Sequence, residues 1–465
     1  SGIFRMSQKD WQVYKFGGTS MKNADALEQV GNLVINSGSE NLIVVVSAMG
    51  GMTDALLKFS QTKDSTLIED IQSLYIETTD SLVKNVSNQL SLIESFKHDI
   101  QKIKEIAKQK DHASISIEEN EILGFGEIWS SKLLHAYLSA FDEVETSWLN
   151  PIDFLIIQNE DMGANVNWFK SKEAFTEAIQ DKSGKIIMGG FIASDIEGKS
   201  TNLGRNGSDY SASILGSLSE AESVTIWTDV DGVLTGDPRV VNKARIIEQM
   251  TYDEAIELSY FGAEVIHPKT MAPLMHKEIP LYIRNTFNSE SLGTCINSQQ
   301  KNTRAVKGIS TIKEIALLNL EGTGMIGVPG IVNRLGNVLQ QANISIVLIS
   351  QASSEHSICF AVRSKDAQTA ADVIKQEFED DFKNENLNAI QIEEDCSILA
   401  IVGSGMTGTK GIAARFFNAI SLSKTNVIAI AQGSSEKNIS IVIKSKDMNH
   451  ATSFVHDAFF NSNKQ

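Results

Sequence analysis

The chain has little cysteine, little proline and no long apolar run. Its three cysteines, Cys295, Cys359 and Cys396, lie far apart in the 465 residues and form no C-x-x-C pair. This spacing argues against a disulfide framework and a zinc site, and it favours a reducing compartment. Only six prolines occur, and no apolar stretch reaches the roughly 18 residues that a membrane span needs. We therefore expect a cytoplasmic protein of ordered domains, with no signal peptide and no membrane partner.

Basic residues are also in deficit. Lys and Arg number 41 against 58 Asp and Glu, which gives a formal net charge of −17. A negative surface repels nucleic-acid phosphates and anionic lipids, so we expect neither as a main partner. A local basic pocket for a small anion is still compatible with this charge. The length alone suggests about three domains.

One hexapeptide near the start, Lys15-Phe16-Gly17-Gly18-Thr19-Ser20, has the composition of a phosphate cradle. It follows a short apolar run and precedes a helical pattern. Glycines let backbone N–H groups approach an anion, a helix start favours negative charge, and a lysine adds a point charge. The spacing is not that of a P-loop. Taken alone, the motif is equally compatible with a Gly-Gly turn and a solvated lysine.

Apolar runs alternate with helical patterns through the first 300 residues, which predicts an α/β fold with a mainly parallel sheet. Residues 54–110 carry no strand pattern and are predicted to form a helical insertion over the sheet. The strand candidates are 11–14, 41–47, 185–188, 223–228 and 281–283, and the helix candidates lie near 121–140, 208–219 and 251–263.

The last third of the chain repeats itself. Gly322 returns as Gly403, Arg334 as Arg415 and Gln351 as Gln432, always 81 residues later. Each copy has the order strand, glycine turn, amphipathic helix, strand, polar turn, strand. An ungapped register over about 40 residues predicts two small α+β modules after the α/β domain.

Both glycine turns match G-x-G-x-x-G, but a dinucleotide site also needs an acid at the end of the next strand. The strand ends here are Ile349-Ser350-Gln351 and Ile430-Ala431-Gln432, which offer no carboxylate. The sequence therefore argues against a nicotinamide site.

Two further segments place charged side chains after predicted strands. Residues 203–210 read LGRNGSDY and open a helix, with Ser208 as the expected N-cap. Residues 227–239 read WTDVDGVLTGDPR and follow a buried strand. Either could be an ordinary turn. With the cradle, however, they put lysine, arginine and carboxylates at the carboxyl ends of strands, where open α/β sheets bind ligands.

These segments resemble the motif series of the aspartate kinases. KFGGTS, VVVSAMGGMTD, GFGEIWS, GRNGSDY, WTDVDGVLTGDPR and YFGAEVIHPKT occur in the family's order. The resemblance covers nearly the whole chain and implies an amino-acid kinase fold, a three-layer αβα sandwich, followed by two ACT modules. The expected boundaries are 10–306 for the kinase domain, 307–390 for the first ACT module and 391–465 for the second. The amino-acid sequence of the repeat is most similar to that of threonine-sensitive bifunctional aspartokinase–homoserine dehydrogenases. We expect the dehydrogenase half of those proteins to be absent from this chain.

The resemblance implies ATP-dependent phosphorylation of the β-carboxylate of L-aspartate, with a role for each motif. Lys15 and Asp209 would be catalytic, with Asp209 orienting Lys15 or the metal-bound phosphates. ATP would contact Lys15, Phe16, Gly17, Gly18, Thr228, Asp229, Leu234, Arg239 and Glu264. Aspartate would contact Ser47, Thr53, Glu127, Arg205, Asn206, Gly207 and Ser208, with Arg205 on the α-carboxylate and Glu127 on the ammonium.

The chemistry needs no histidine or cysteine, because the β-carboxylate is ionised near neutral pH. Mg²⁺ would arrive on the ATP phosphates, and we expect no dedicated protein metal site. His267, before Pro268, is expected to be structural and to lie in a helix-ending loop. The chain departs from many relatives at Leu234 and Glu264, where tyrosine and lysine are usual, and at Asn206, where glycine is usual.

The repeated glutamines predict a regulatory site for an amino acid, because an amide both donates and accepts hydrogen bonds. Its residues would be Gln351, Ser354, Glu355, Gln432, Ser435 and Glu436. Threonine is the favoured effector and lysine the runner-up, and strand-end capping is the alternative role. Association through the ACT modules would give a homodimer or homotetramer. The rival functions are a kinase for glutamate or acetylglutamate and a catalytically inactive amino-acid sensor.

Overall fold

The computed structural model describes residues 10–109, 117–160, 163–260, 266–299, 304–325, 330–351, 357–433 and 435–461. Its α-helices are α1 (Ala24–Ile35), α2 (Met52–Thr62), α3 (Ser65–Leu82), α4 (Val86–Gln109), α5 (Ile117–Leu138), α6 (Trp168–Ile179), α7 (Gly207–Ser219), α8 (Tyr252–Tyr260), α9 (Pro268–Lys277), α10 (Ile331–Gln341), α11 (Ala367–Glu377), α12 (Glu379–Lys383), α13 (Ile412–Leu422) and α14 (Met448–His456).

The strands complete the element order. They are β1 (Trp11–Phe16), β2 (Asn41–Val46), β3 (Thr146–Trp148), β4 (Ile157–Glu160), β5 (Gly163–Val166), β6 (Lys185–Gly189), β7 (Ile192–Ser194), β8 (Ser200–Asn202), β9 (Ser223–Thr228), β10 (Gln249–Thr251), β11 (Leu281–Asn285), β12 (Thr294–Asn297), β13 (Gly308–Glu321), β14 (Leu348–Gln351), β15 (Ser357–Arg363), β16 (Gln391–Val402), β17 (Ala429–Ala431) and β18 (Asn438–Lys444).

The chain forms two compact units that are not continuous in sequence. The first unit takes residues 1–233, 248–252 and 266–299, and the second takes 234–247, 253–265 and 300–465. Two short segments between the strands of the first unit therefore fold with the second.

The first unit is built on an eight-stranded sheet in the order β10-β12-β11-β9-β1-β2-β6-β3. All neighbouring pairs are parallel except β11 with β12. The run Leu42–Val46 is fully buried, as a strand covered on both faces requires. The predicted fold class, with its mainly parallel sheet, is confirmed.

Helices α1 to α5 cover one face of this sheet. Their buried side chains form one apolar cluster with Tyr14, Phe16 and Val44, in which Tyr75 stacks on Phe96 and Trp129 meets Phe96 edge to face. Residues 54–109 are helical, as predicted, and extend this layer. Helix α7 packs against β1 and α9. Apolar strands between two helical layers thus hold the carboxyl ends of β1, β2, β6 and β9 at one edge.

The repeat folds into a single six-stranded sheet in the second unit, in the order β14-β15-β13-β16-β18-β17. Strands β13 and β16 are the long central pair and run antiparallel, with Ile309 opposite Ile401. Helices α10 and α11 cover one core, which includes Leu335 and Phe360, and α13 and α14 cover the other, which includes Phe416 and Ile441. The predicted order of each copy is present, but the pattern missed the second helix of each copy, α11 and α14.

One local expectation was wrong. The N-cap of α7 is Asn206 rather than Ser208, which lies within the first turn of the helix. His267 is the N-cap of α9, and its Nδ1 accepts a hydrogen bond from the Lys269 N–H at 3.1 Å, while residues 261–265 of the loop before it lie outside the described residues. Its structural role is therefore that of a capping side chain.

Candidate active site

The cradle motif begins in the last two residues of β1, in the centre of the sheet. Lys15 and Phe16 are buried there, and residues 18–21 form a short 3₁₀ turn closed by a hydrogen bond from the Ser20 N–H to the Gly17 carbonyl at 3.0 Å. A Cβ at Gly17 would lie 3.3 Å from Lys15 Nζ. The glycine therefore leaves space around the ammonium, where an anion could approach it.

Lys15 and Asp209 form an ion pair in this cradle. The distance between Lys15 Nζ and Asp209 Oδ1 is 2.6 Å, and the two side chains are only 11% and 16% exposed. Asp209 stands in the first turn of α7, where the partial positive charge of the helix favours a carboxylate. The structure therefore brings together two predicted residues that are almost 200 positions apart in the chain.

The start of α7 is held in an unusual backbone conformation. Asn206 has φ 59°, in the left-handed region that asparagine tolerates better than most residues. The loop between β6 and β7 packs closely against the start of α7, because a Cβ at Gly190 would lie 2.7 Å from the Ser208 Cβ. Ser211 Oγ receives a hydrogen bond from the Phe191 N–H at 2.9 Å. Asparagine thus occupies a position where the backbone has a positive φ.

Glu127, on α5, is a buried carboxyl at this same edge. It is 4% exposed, and its Oε2 makes no hydrogen bond to any described residue. Burial raises the pKa of Glu127 to about 8, and nearby backbone groups, including that of Ala48, partly offset the rise. A lone buried carboxyl oxygen is costly unless a ligand completes its hydrogen bonding. An ammonium group would satisfy it.

The remaining residues predicted to contact aspartate lie at the starts of helices or at the ends of strands, and one of them is exposed. Ser47 follows β2, and its carbonyl accepts a hydrogen bond from Ser130 Oγ at 2.7 Å. Thr53 lies in the first turn of α2, and Gly207 begins α7. Arg205 is exposed, and no ion pair to it occurs among the described residues. Its guanidinium is therefore available for a carboxylate.

The loop after β9 is fixed by a turn that the sequence reasoning did not single out. Asn285 Nδ2 and Asn288 Nδ2 donate to Asp231 Oδ1 at 2.8 and 3.0 Å. The Thr286 N–H donates to the Thr228 carbonyl at 2.8 Å. Thr228 Oγ1 donates to Asp229 Oδ1 at 3.3 Å. An Asn-Thr-Phe-Asn run with turn formers at both ends was the only available sequence signal.

The other residues predicted to contact the nucleotide lie either in the second unit or outside the described residues. Leu234 forms an isolated bridge with Ile246, and Arg239 pairs with Asp237 through two nitrogens. Hydrogen bonds from Arg239 hold the pKa of Asp237 below its ordinary value. Glu264 lies outside the described residues. The roles of these three residues at ATP stay predictions.

The predicted regulatory residues lie in the second unit. Gln351 ends β14, and Gln432 is exposed just after β17. The Ser435 carbonyl accepts from Thr407 Oγ1 at 2.9 Å, and Glu436 Oε2 accepts from the Gly408 N–H at 2.7 Å. Ser354 and Glu355 lie outside the described residues. The second polar turn is thus hydrogen-bonded to the glycine turn of its own module.

Two kinds of feature are absent from the described ranges. No three His, Cys, Asp or Glu side chains gather there in a way that could hold a metal ion. No helix within those ranges is long and apolar enough to cross a membrane.

The fold and the Lys15–Asp209 site define the class, and the chain belongs to the amino acid kinase family. The family model matches residues 10–285, and the ACT domain model matches residues 318–378 and 399–459. The resemblance to kinases with tandem ACT modules is confirmed.

Among known proteins, the chain is similar in sequence to bifunctional aspartokinase/homoserine dehydrogenases. The chain is 38% identical over 467 residues to bifunctional aspartokinase/homoserine dehydrogenase 2 of Arabidopsis thaliana, covering 97% of this chain and 51% of the relative. It is 35% identical to the bifunctional enzyme of Haemophilus influenzae, covering 97% and 57%. The chain thus spans about half the length of the curated relatives it matches.

A solved structure shows the same fold. The crystal structure of E. coli aspartokinase III in complex with aspartate and ADP superposes with a TM-score of 0.79 at 24% identity, over 97% of this chain and 99% of that one.

Proposed function

We propose that this chain transfers the γ-phosphoryl group of ATP to the β-carboxylate of L-aspartate and forms 4-phospho-L-aspartate. The observation that carries the proposal is the buried Lys15–Asp209 pair beside the glycine cradle. The names of relatives that are 38% and 35% identical to this chain over the aligned region support aspartate as the acceptor.

Some of the site residues would bind the phosphates of ATP, and others would bind aspartate. Lys15 and the backbone amides of the cradle would neutralise charge on the transferred group, and Asp209 would hold the Lys15 ammonium in place. Arg205 would bind the α-carboxylate, and Glu127 would bind the α-ammonium. The β-carboxylate itself would be the nucleophile, so no general base is required. Mg²⁺, when bound to ATP, would neutralise part of the phosphate charge.

The decisive assay is aspartate-dependent release of ADP. We expect turnover with L-aspartate and at most a small rate with L-glutamate or N-acetyl-L-glutamate. Release of ADP with glutamate or acetylglutamate but not with aspartate would identify a different kinase of the same family. No acceptor-dependent release at all would favour the inactive sensor, for which Leu234 and Glu264 are the sequence argument.

We propose feedback inhibition by an amino acid bound at the polar turns of the ACT modules. Threonine is our first candidate and lysine the second. The support is the repeat itself, which places Gln351 and Gln432 at equivalent strand ends.

We also propose module boundaries at 306/307 and 390/391, assembly as a homodimer or homotetramer through the ACT modules, and a cytoplasmic location. The last proposal rests on three unpaired cysteines.

A further inference from the structure

One turn of the first unit contacts two segments of the proposed nucleotide site, the cradle and the loop after β9. We call residues 285–288, Asn-Thr-Phe-Asn, the asparagine turn. It begins at Asn285, the last residue of β11, whose Arg284 lies with its guanidinium 4.7 Å from the centre of the Trp227 ring on the adjacent strand β9. The turn is closed by a hydrogen bond from the Phe287 N–H to Asn285 Oδ1 at 2.9 Å.

On one side, the asparagine turn is joined to the cradle. Ser20 Oγ and Thr286 Oγ1 lie 2.7 Å apart, and both residues are fully buried. Gln29 Nε2 of α1 donates to the Thr286 carbonyl at 3.2 Å. The Lys22 ammonium lies 5.7 Å from the centre of the Phe287 ring. These contacts fix the turn against the segment that directly follows Gly17 and Gly18.

On the other side, the turn is joined to the loop after β9. Both asparagine amides donate to the same oxygen, Asp231 Oδ1, and the Thr286 N–H donates to the Thr228 carbonyl. Asn285 Nδ2 is also 3.4 Å from the Asp229 carbonyl. A carboxylate that accepts two amide hydrogen bonds has a fixed orientation.

We propose that the asparagine turn positions two segments of the proposed nucleotide site, residues 15–20 and 228–231, at the separation that a nucleotide requires. Asn285 and Thr286 act through Asp231 and Ser20 and are positioning residues, not catalytic ones. The inference rests on the proposed nucleotide site. The physical reason is that catalysis by positioning is sensitive to shifts of about 1 Å, and the turn holds the first segment by a buried hydrogen bond and the second by a partly buried one.

An exchange of the two side chains tests the pair directly. Asn285→Asp alone places two carboxylates face to face, so we expect ATP affinity to fall about tenfold or more. Asp231→Asn combined with Asn285→Asp restores an amide-to-carboxylate hydrogen bond in the opposite direction. We expect the double variant to recover most of the lost affinity.

Affinity is measured by calorimetry with ATP and Mg²⁺ and no amino acid, so the result does not depend on the identity of the acceptor. If the wild type binds ATP but shows no aspartate-dependent turnover, the proposed function fails while this inference is still tested. If the wild type turns over, we expect the ATP KM of Asn285→Asp to rise while the aspartate KM changes less than about twofold.

Asn297→Asp is the matched control. Asn297 closes the same kind of turn, accepting from the Gln299 N–H at 2.9 Å, but has no contact with Asp231. We expect its ATP affinity to equal that of the wild type. Asn288→Ala, at an exposed position, should fold normally and weaken ATP less than Asn285→Asp.

Two results would overturn the proposal. One is unchanged ATP affinity in Asn285→Asp. The other is a double variant as weak as Asn285→Asp alone, since the exchanged hydrogen bond would then have no positioning effect.

Discussion

At the scale of single residues, the proposed function depends on the Lys15–Asp209 ion pair, which the family resemblance connected but no local sequence pattern could. Lys15 and Asp209 were both predicted as site residues from their motifs, but their separation of 2.6 Å depends on packing of α7 against β1. Glu127 was predicted only through the family resemblance. Its burial, and the free Oε2 that results, are properties of the folded unit and have no local sequence pattern.

Removal of the cradle ammonium should abolish turnover without unfolding the protein. Lys15→Ala loses the positive charge that offsets charge on the transferred group, and one such contact is worth about 100- to 1000-fold in rate. Lys15→Arg keeps the charge and should retain more activity than Lys15→Ala. The measurement is kcat at saturating substrates. A Lys15→Ala variant with more than about a third of wild-type kcat would contradict the assignment.

The raised pKa of Glu127 predicts a pH-dependent affinity for aspartate. If the ionised carboxylate binds the ammonium, aspartate binding to the free protein must release a proton at pH values below about 8. Affinity should then rise by up to about tenfold per pH unit towards that value and level off above it. Glu127→Gln should weaken aspartate binding and remove this pH dependence. A flat aspartate affinity in the wild type between about pH 6 and 8 would exclude the role.

At the scale of elements, buried parallel strands and the amphipathic α10 were predictable because their patterns are local. Helices α11 and α14 were missed although Ala367, Ala370, Ala371 and Ile374 form one apolar face at helical spacing. The asparagine turn was missed for a physical reason. Its contacts join residues 266 and 257 positions apart in the chain, and only the folded sheet brings them together.

The N-cap of α7 gives a test of backbone conformation. Asn206→Val places a β-branched residue at φ 59° and should lower the free energy of unfolding by about 1–2 kcal/mol, whereas Asn206→Gly should leave it unchanged or raise it. All five tryptophans, Trp11, Trp129, Trp148, Trp168 and Trp227, belong to the first unit, so tryptophan fluorescence during urea unfolding reports on this unit.

Ser208→Ala is the control for that experiment. If Ser208 were the N-cap, its loss would cost about 1 kcal/mol. Because Asn206 holds that position, we expect a smaller effect for Ser208→Ala than for Asn206→Val, and the reverse order would contradict the assigned cap.

At the scale of the whole molecule, the unit that holds the six-stranded sheet also includes two segments that lie between strands of the first unit in sequence. Within the second unit, Glu254 of α8 accepts from the Ser404 N–H at 2.8 Å, and Thr235 Oγ1 lies 2.8 Å from His456 Nε2. Lys437 pairs with Asp253. The repeat predicted the two modules, but nothing in it predicted that residues 234–247 and 253–265 would join them, because those segments have no repeat partner.

The effector hypothesis is tested with threonine, lysine and methionine in parallel, by calorimetry and by inhibition of turnover. We expect threonine to inhibit, and the double variant Gln351→Ala with Gln432→Ala to lose inhibition while keeping its uninhibited kcat. Because coupling is reciprocal, bound substrates should weaken threonine binding. Threonine sensitivity that survives in the double variant would place the effector site elsewhere.

The central claim is that this chain forms an acyl phosphate on the β-carboxylate of aspartate. The most direct measurement is mass spectrometry of the product after trapping with hydroxylamine, in the presence of ATP, Mg²⁺ and L-aspartate. The account predicts aspartate β-hydroxamate, formed in proportion to ADP by the wild type and absent with Lys15→Ala. ADP release without β-hydroxamate, or equal hydroxamate from the Lys15→Ala protein, would contradict it.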